Sequence, residues 1–214
     1  MRSGFKAIIF DYEGTLVDFQ WKLAPAEDEL RQACAALGCP TQGSYAELWN
    51  AAVAASRPAG RLEDVQRTLQ PIYDRFDADA ATRWAPRAGA EALLAELAAR
   101  NIATALVSNC GRSAVTAVLS RFGLDAHLQP VICRGDVHFM KPHPEGTKRA
   151  LDALGIAPHE ALFVGDSRTD VHTARAAGVP VAVIRGGECD EAAFVDLPPD
   201  YWVHALGDLL ALVP

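Results

Sequence analysis

Two kinds of hydrophobic pattern follow one another along the first 85 residues. Residues 6–10 (KAIIF), apolar from Ala7 onward, have the length and character of a buried strand. Residues 24–85 instead place their apolar side chains at helical spacing, in stretches such as EDELRQACAAL and SYAELWNAAVAA that Gly and Pro interrupt. The pattern therefore predicts one strand followed by an all-helical segment.

From residue 86 onward the pattern alternates between helical and strand-like stretches. GAEALLAELAARN is helical and IATALVS is continuously apolar, and similar pairs follow as far as residue 184. Strands separated by helices of roughly 10–15 residues are typical of parallel βαβ units. Continuous apolar runs suit a sheet that is covered on both faces. The last stretch, residues 202–213, predicts an edge strand and a terminal helix.

These patterns together predict the architecture. We expect an α/β protein with a doubly wound parallel sheet and a small all-helical domain inserted after the first strand. The boundaries that we assign are residues 1–16 and 86–214 for the α/β core and residues 17–85 for the helical insertion. A chain of 214 residues, 50% of them hydrophobic, is long enough for such a core with one small attached domain.

Polar residues follow the predicted core strands at their carboxyl ends. In open parallel sheets, ligands bind at this edge, so these residues are candidates for a common site. In chain order they are Asp11, Glu13, Ser108, Asn109, Lys141, Asp166 and Asp170.

The charges of this set favour a metal and a phosphate. Its four carboxylates would repel one another unless a cation offset them, and a hard divalent ion such as Mg²⁺ is the simplest choice. Lys141 would add a second positive charge, and such a site suits a phosphate dianion. Asp11 would then be a nucleophile that forms an aspartyl-phosphate, with Glu13 as general acid and base.

Each of these residues also has a plainer interpretation. Asp11 could cap a turn, and Ser108 with Asn109 could start the helix that follows. Lys141 could be solvated, and the last two acids could be first-turn acids favoured by a helix dipole. Their common position at one sheet edge favours a functional role for the set.

The candidate residues lie in motifs that resemble a known family. The motifs DYEGTL (11–16), SN (108–109), KPHPE (141–145) and GDSRTD (165–170) resemble, in this order, the four motifs of the haloacid dehalogenase superfamily. The helical segment is similar to the α-helical cap of the superfamily's phosphoglycolate phosphatase-like branch. The resemblance implies a Rossmann-like core, Mg²⁺ as cofactor and a small phosphorylated substrate.

The resemblance also implies roles for the acids. Asp11 matches the nucleophile, which is also a metal ligand. Glu13 matches the acid/base position, whose backbone carbonyl also binds the metal. Asp166 matches a further metal ligand, and Asp170 matches its acidic support, in direct or indirect contact with the ion.

The remaining motif residues match groups that hold phosphate. Ser108 and Lys141 take those positions, with Asn109 beside Ser108 in the same motif, and Lys141 is also expected to take part in catalysis. Glu13 departs from the family pattern, because phosphatases of the family usually have aspartate there. The extra methylene moves the carboxyl by about 1 Å, which leaves rate and substrate range open.

Several functions and properties stay open or are excluded at this point. A sugar phosphomutase, a haloacid dehalogenase and a catalytically weak ligand-binding member are the alternatives to a phosphatase. The net charge of −7 argues against binding to nucleic acid or to anionic membranes. No apolar run approaches the roughly 20 residues that span a bilayer. We expect a cytoplasmic protein with reduced cysteines, either a monomer or a homodimer.

Overall fold

The computed structural model describes residues 4–214, and its centre is one sheet of parallel strands. The strands are β1 (Ala7–Phe10), β2 (Ala103–Val107), β3 (Val131–Ile132), β4 (Ala161–Gly165), β5 (Val181–Ile184) and β6 (Tyr201–Val203). Their order is β3-β2-β1-β4-β5-β6, and every neighbouring pair is parallel. The predicted doubly wound α/β fold is confirmed. The strand order reverses between β1 and β4, which is where such sheets form a ligand-binding crevice.

Helices alternate with the strands after an initial helical stretch. They are α1 (Leu23–Ala36), α2 (Tyr45–Ser56), α3 (Leu62–Ala81), α4 (Ala90–Ala99), α5 (Arg112–Arg121), α6 (Glu145–Leu154) and α7 (Arg168–Ala177). The C-terminal stretch forms a 3₁₀ helix over Leu206–Ala211, where the sequence predicts an ordinary terminal helix. None of the helices in residues 4–214 is long and apolar enough to cross a membrane.

The sheet is covered on both faces, which explains its continuously apolar strands. Successive residues of β1 enter two different hydrophobic clusters. Ile8 and Phe10 pack in the cluster that contains residues of α4, α5 and the helical segment. Ala7 and Ile9 pack in the cluster that contains residues of α6 and α7. Because both faces are buried, no polar residue alternates with the apolar ones in β1.

The helical segment, residues 17–85, lies between β1 and α4 in the chain. Its helices α1, α2 and α3 pack against one another, and within residues 23–81 the structure has no strand. The two stretches that lead into and out of it meet in a single antiparallel bridge between Val17 and Pro86. The division into two domains at these positions remains a prediction.

Candidate active site

Three of the four candidate carboxylates meet at the carboxyl edge of the sheet. The last residue of β1, Phe10, pairs with Val164 of β4, so the loops after these two strands begin side by side. One carboxylate oxygen from each of Asp11, Asp166 and Asp170 lies within 4.8 Å of the others, and all three residues are buried. The parallel register therefore brings together the acids that the sequence places after β1 and β4.

Lys141 reaches the same cluster from the chain that follows β3. Its ammonium group forms an ion pair with Asp11 and donates a hydrogen bond to Asp170 Oδ1 at 2.7 Å. Burial by itself would lower the pKa of Lys141, but the two carboxylates raise it above its usual value. The lysine is therefore a fixed positive charge at neutral pH.

One ammonium group does not balance three buried carboxylates. Burial raises the pKa of Asp11 to about 7, although the ion pair with Lys141 opposes this shift. Burial and then the neighbouring charge of Asp170 raise the pKa of Asp166 well above its usual range. Such shifts mark a site in which a cation would stabilise the ionised acids.

The surroundings of Asp166 fit a bound hard cation. Gly14 lies so close that a Cβ atom at this position would come 2.0 Å from Asp166 Oδ2. Thr15 Oγ1 donates a hydrogen bond to Oδ1 at 3.3 Å, and the backbone N–H of Glu188 donates to Oδ2. The carboxylate is thus held in place by donors to both of its oxygens, and carboxylate oxygens are the ligand type that Mg²⁺ prefers.

Both oxygens of Asp170 are already occupied. Its Oδ1 accepts from Lys141, and its Oδ2 accepts from Ser167 Oγ at 2.7 Å and from the backbone N–H groups of Ser167 and Asp166 at 3.1 Å and 3.2 Å. These contacts close a capping box at the start of α7. Asp170 is therefore placed to orient Lys141 and Asp166, which suits indirect support of a metal.

Ser108 and Asn109 follow β2 and line the cavity beside Asp11. The Asn109 side chain accepts from the backbone N–H of Lys141 at 2.9 Å and donates to its carbonyl at 3.2 Å. It also donates to the Tyr45 hydroxyl at 3.3 Å. The Asn109 amide therefore fastens the Lys141 backbone, while Ser108 Oγ accepts from the Cys110 N–H at 3.0 Å.

Backbone N–H groups provide further hydrogen-bond donors in addition to the side chains of Ser108 and Asn109. Within residues 4–214, the N–H groups of Glu13 and Asn109 have no hydrogen-bond acceptor. Both residues line the same cavity, whose volume is about 320 Å³. Unpaired N–H groups near a lysine form a suitable cradle for an anion.

Glu13 lies outside the cluster of three carboxylates. Its Oε1 accepts hydrogen bonds from the N–H groups of Gln20 and Trp21, both at 2.6 Å, and from Trp84 Nε1 at 2.7 Å. Burial raises the pKa of Glu13 to about 7, although these three hydrogen bonds oppose the shift. No donor in the described part of the chain reaches Oε2. One oxygen is thus tied to the helical segment, and the other remains available for proton transfer.

The helical segment contributes residues that the sequence motifs do not contain. Phe19 and Tyr45 line the cavity beside Asp11. They also line a second cavity of about 250 Å³, which shares Glu13, Asn109 and Cys110 with the first. No local signal marks these residues, since their role depends on how the helical segment packs over the sheet edge.

Comparisons with known proteins support the same assignment. Residues 5–178 match the family model of the haloacid dehalogenase-like hydrolases. The chain is 37% identical over 195 residues to the phosphoglycolate phosphatase of Rhodospirillum rubrum, which covers 85% of this chain and 80% of that protein. It is 33% identical over 223 residues to the phosphoglycolate phosphatase of Yersinia pestis, which covers 99% of this chain and 94% of that protein.

The fold also matches a solved structure over nearly its whole length. A HAD-superfamily hydrolase, subfamily IA, variant 1, from Geobacter sulfurreducens has a TM-score of 0.62 and 26% identity, covering 98% of this chain and 100% of that one. The family match spans well over half of the chain, and it agrees with the motifs at the sheet edge. The protein therefore belongs to the haloacid dehalogenase-like hydrolase family.

Proposed function

We propose that this hydrolase is a Mg²⁺-dependent phosphatase that acts on a small phosphorylated metabolite through an aspartyl-phosphate intermediate on Asp11. The observation that carries this proposal is the contact between Asp11 and Lys141 beside two further buried carboxylates, on the wall of a cavity that is also lined by residues with unpaired N–H donors. The similarity to proteins named phosphoglycolate phosphatase supports the same class of reaction.

Asp11 is the nucleophile in this proposal. One of its carboxylate oxygens forms a bond to phosphorus while the bond from phosphorus to the ester oxygen breaks, and water then releases the phosphate. Lys141 contacts Asp11 directly, so its ammonium group lies where it can offset charge on the phosphate oxygens. Ser108 and the N–H groups of Glu13 and Asn109 are the further phosphate contacts.

Glu13 is the general acid and base. It gives a proton to the leaving oxygen and later accepts one from the attacking water. A pKa of about 7 suits both directions of proton transfer at neutral pH. Because Oε1 is engaged by the helical segment, we assign the proton transfer to Oε2.

Asp11, Asp166 and the backbone carbonyl of Glu13 are the groups that would hold Mg²⁺, with Asp170 as indirect support. When bound, Mg²⁺ offsets the charge of these acids and of the phosphate. The chain's own contribution is to hold Asp166 through Thr15 and the Glu188 N–H, so that little rearrangement is needed.

Replacing the nucleophile tests the proposal. We expect Asp11→Asn to lower the kcat for Mg²⁺-dependent hydrolysis of p-nitrophenyl phosphate by about 1,000-fold or more, because an amide cannot form the intermediate. Asp152→Asn is the matched control, since Asp152 is an exposed acid on α6. An Asp11→Asn enzyme that kept its rate would refute the assignment.

A further inference from the structure

The segment that ends at Lys141, residues 138–141, is held by side chains rather than by the backbone; we call it the lysine loop. Among residues 4–214, none of its four backbone N–H groups donates to a backbone carbonyl. Each of them donates to a side chain instead. Because a buried N–H group needs an acceptor, the shape of this loop depends on the side chains that supply one.

Two side chains of the α/β core supply three of these four acceptors. The carboxylate of Glu145, the first residue of α6, accepts from the N–H groups of His138 and Phe139 at 3.1 Å each. The amide of Asn109 accepts from the N–H of Lys141 at 2.9 Å and donates to its carbonyl. The core therefore holds both ends of the lysine loop.

The helical segment supplies the remaining acceptor through Asn50, which lies on α2. Asn50 Oδ1 accepts from the N–H of Met140 at 2.8 Å, and Asn50 Nδ2 donates to the Met140 carbonyl at 2.8 Å. Met140 is only 1% exposed, so water does not replace these contacts. Asn50 and Asn109 thus hold two consecutive residues of the loop in the same manner, one from the helical segment and one from the core.

Two further residues of α2 reinforce this contact. Trp49 Nε1 donates to the His138 carbonyl at 3.0 Å. The hydroxyl of Tyr45, one helical turn before Trp49, accepts from the Asn109 amide that holds Lys141. A single helix therefore contacts the lysine loop directly at two residues and also contacts the side chain that holds its last residue.

Loss of the Asn50 amide would affect the two groups of Met140 differently. The Met140 carbonyl also accepts from the His143 N–H at 2.9 Å, so it would keep one partner. The Met140 N–H would have no acceptor, which is unfavourable for a buried group, and the loop would have to shift to provide one. The next residue is Lys141, and a shift of about 1 Å in a catalytic group can lower a rate by about 100-fold.

We propose that Asn50 is a positioning residue for Lys141, so that the helical segment supports phosphoryl transfer through the lysine loop as well as through the residues that line the cavity. The inference rests on the proposed role of Lys141 in the reaction. Asn50 does not line the cavity beside Asp11 and does not belong to the cluster of three carboxylates. It therefore acts on the reaction through the backbone of Met140 and Lys141, 90 positions away in the chain.

Replacing Asn50 tests the inference, with hydrolysis of p-nitrophenyl phosphate in the presence of Mg²⁺ as the assay. We expect Asn50→Ala to lower kcat by about tenfold and to change KM by less than about threefold, because Asn109 still holds Lys141 and the misplaced ammonium group matters most in the transition state. Ser56→Ala is the control and should keep its kcat, since Ser56 Oγ donates within α2 to the Val53 carbonyl. A folded Asn50→Ala enzyme with the wild-type kcat would overturn the inference alone. A wild-type enzyme that releases no phosphate would overturn the proposed function as well.

A double-mutant cycle separates positioning of Lys141 from a general loss of stability. If Asn50 acts through Lys141, Asn50→Ala should lower kcat by less than about twofold when Lys141 is already replaced by Met. A loss of about tenfold in both backgrounds would overturn the inference, because the two residues would then act independently.

A thermal melt checks that each variant folds. If Asn50→Ala does not fold, Asn50→Asp replaces it in the cycle, because Asp keeps an acceptor for the Met140 N–H and lacks the donor to the Met140 carbonyl. We expect Asn50→Asp to lower kcat by about threefold in the wild-type background and to have no effect beside Lys141→Met. Equal losses in the two backgrounds, or no loss in either, would overturn the inference.

Discussion

Two clusters of buried charge in this protein both pair aspartate with a basic side chain but differ in the balance of positive and negative charge. The site cluster contains Asp11, Asp166, Asp170 and Lys141, with three buried carboxylates against one ammonium group. The interface cluster is the buried ion pair between Asp77 of α3 and Arg134, which follows β3, and the Gly111 N–H after β2 also donates to Asp77. A carboxylate surrounded by excess negative charge can bind an added cation. A carboxylate that is already paired with an arginine can bind one only if it gives up that arginine.

Hydrogen bonding separates the two clusters in the same way. In the interface cluster, both oxygens of Asp77 accept bonds, and Arg134 also lies over the Tyr73 ring at 4.9 Å. At the sheet edge, N–H groups of the surrounding loops remain unpaired within residues 4–214. Burial of charge is therefore not by itself a sign of a functional site. Unbalanced charge beside unpaired donors is the better sign.

Removing divalent cations is expected to have the largest effect on activity. It should act on the site cluster and leave the interface cluster unchanged. EDTA should abolish phosphate release, and Mg²⁺ should restore it and raise the melting temperature, because it offsets the excess charge. Asp166→Asn should lose most of the Mg²⁺-dependent shift in melting temperature. Activity that survives EDTA, or metal-independent halide release from a haloacid, would instead favour the dehalogenase alternative.

Breaking the interface cluster should cost stability. We expect Arg134→Met to lower the free energy of unfolding by about 3–5 kcal/mol, because Asp77 would stay buried without its cation. Arg67→Met is the control, since Arg67 pairs with Asp64 on the exposed surface of the same helix, and its effect should stay below about 1 kcal/mol. Denaturant unfolding measures both, and equal effects would remove the distinction between buried and exposed pairs.

Removing the cation of the site cluster should affect catalysis. Lys141→Met is expected to lower kcat by about 100–1,000-fold, as is typical when one electrostatic contact to the transition state is lost. Lys148→Met is the control, because Lys148 is exposed on α6. If Lys141→Met kept its kcat and lost only stability, the site lysine would be structural, like Arg134.

The smallest expected effect concerns Glu13, which connects the site to the helical segment. Its pKa is raised from 4.5 to about 7 in the folded protein, so the folded state binds more protons than the unfolded state between these values. In Mg²⁺-free buffer, stability should therefore fall as pH rises from about 4.5 to about 7 and then level off. In denaturant titrations at several pH values, Glu13→Gln should show a smaller decrease in the free energy of unfolding over this pH range. An identical slope in both proteins would contradict the raised pKa.

The hydrophobic pattern was enough to predict the sheet and the edge at which the candidate residues gather. Continuous apolar runs separated by helical stretches imply parallel strands, and parallel strands bring their carboxyl ends together. Asp11 and Asp166 are close for this reason alone, because each directly follows a strand and the two strands are neighbours.

Sequence motifs do not predict the hydrogen-bond partners of Glu13 and Asn109. The sequence groups Glu13 with the other acids, yet its carboxylate is bound by Trp84, which lies 71 positions away. Asn109 is predicted to contact phosphate, and its side-chain amide holds the backbone of Lys141, 32 positions away. Hydrogen-bond partners so distant in the chain are set by packing rather than by local spacing.

Strand and helix periods arise from backbone geometry, so the sequence by itself determined the fold class, the sheet edge and the acids and lysine found there. Only the tertiary structure decided which face of the helical segment covers that edge. It pairs Arg134 with Asp77 over 57 positions and leaves the adjacent cavity with apolar walls and two carboxylates. The packing of α1 to α3 over the sheet selects the residues that line this cavity, and periodicity does not encode that choice.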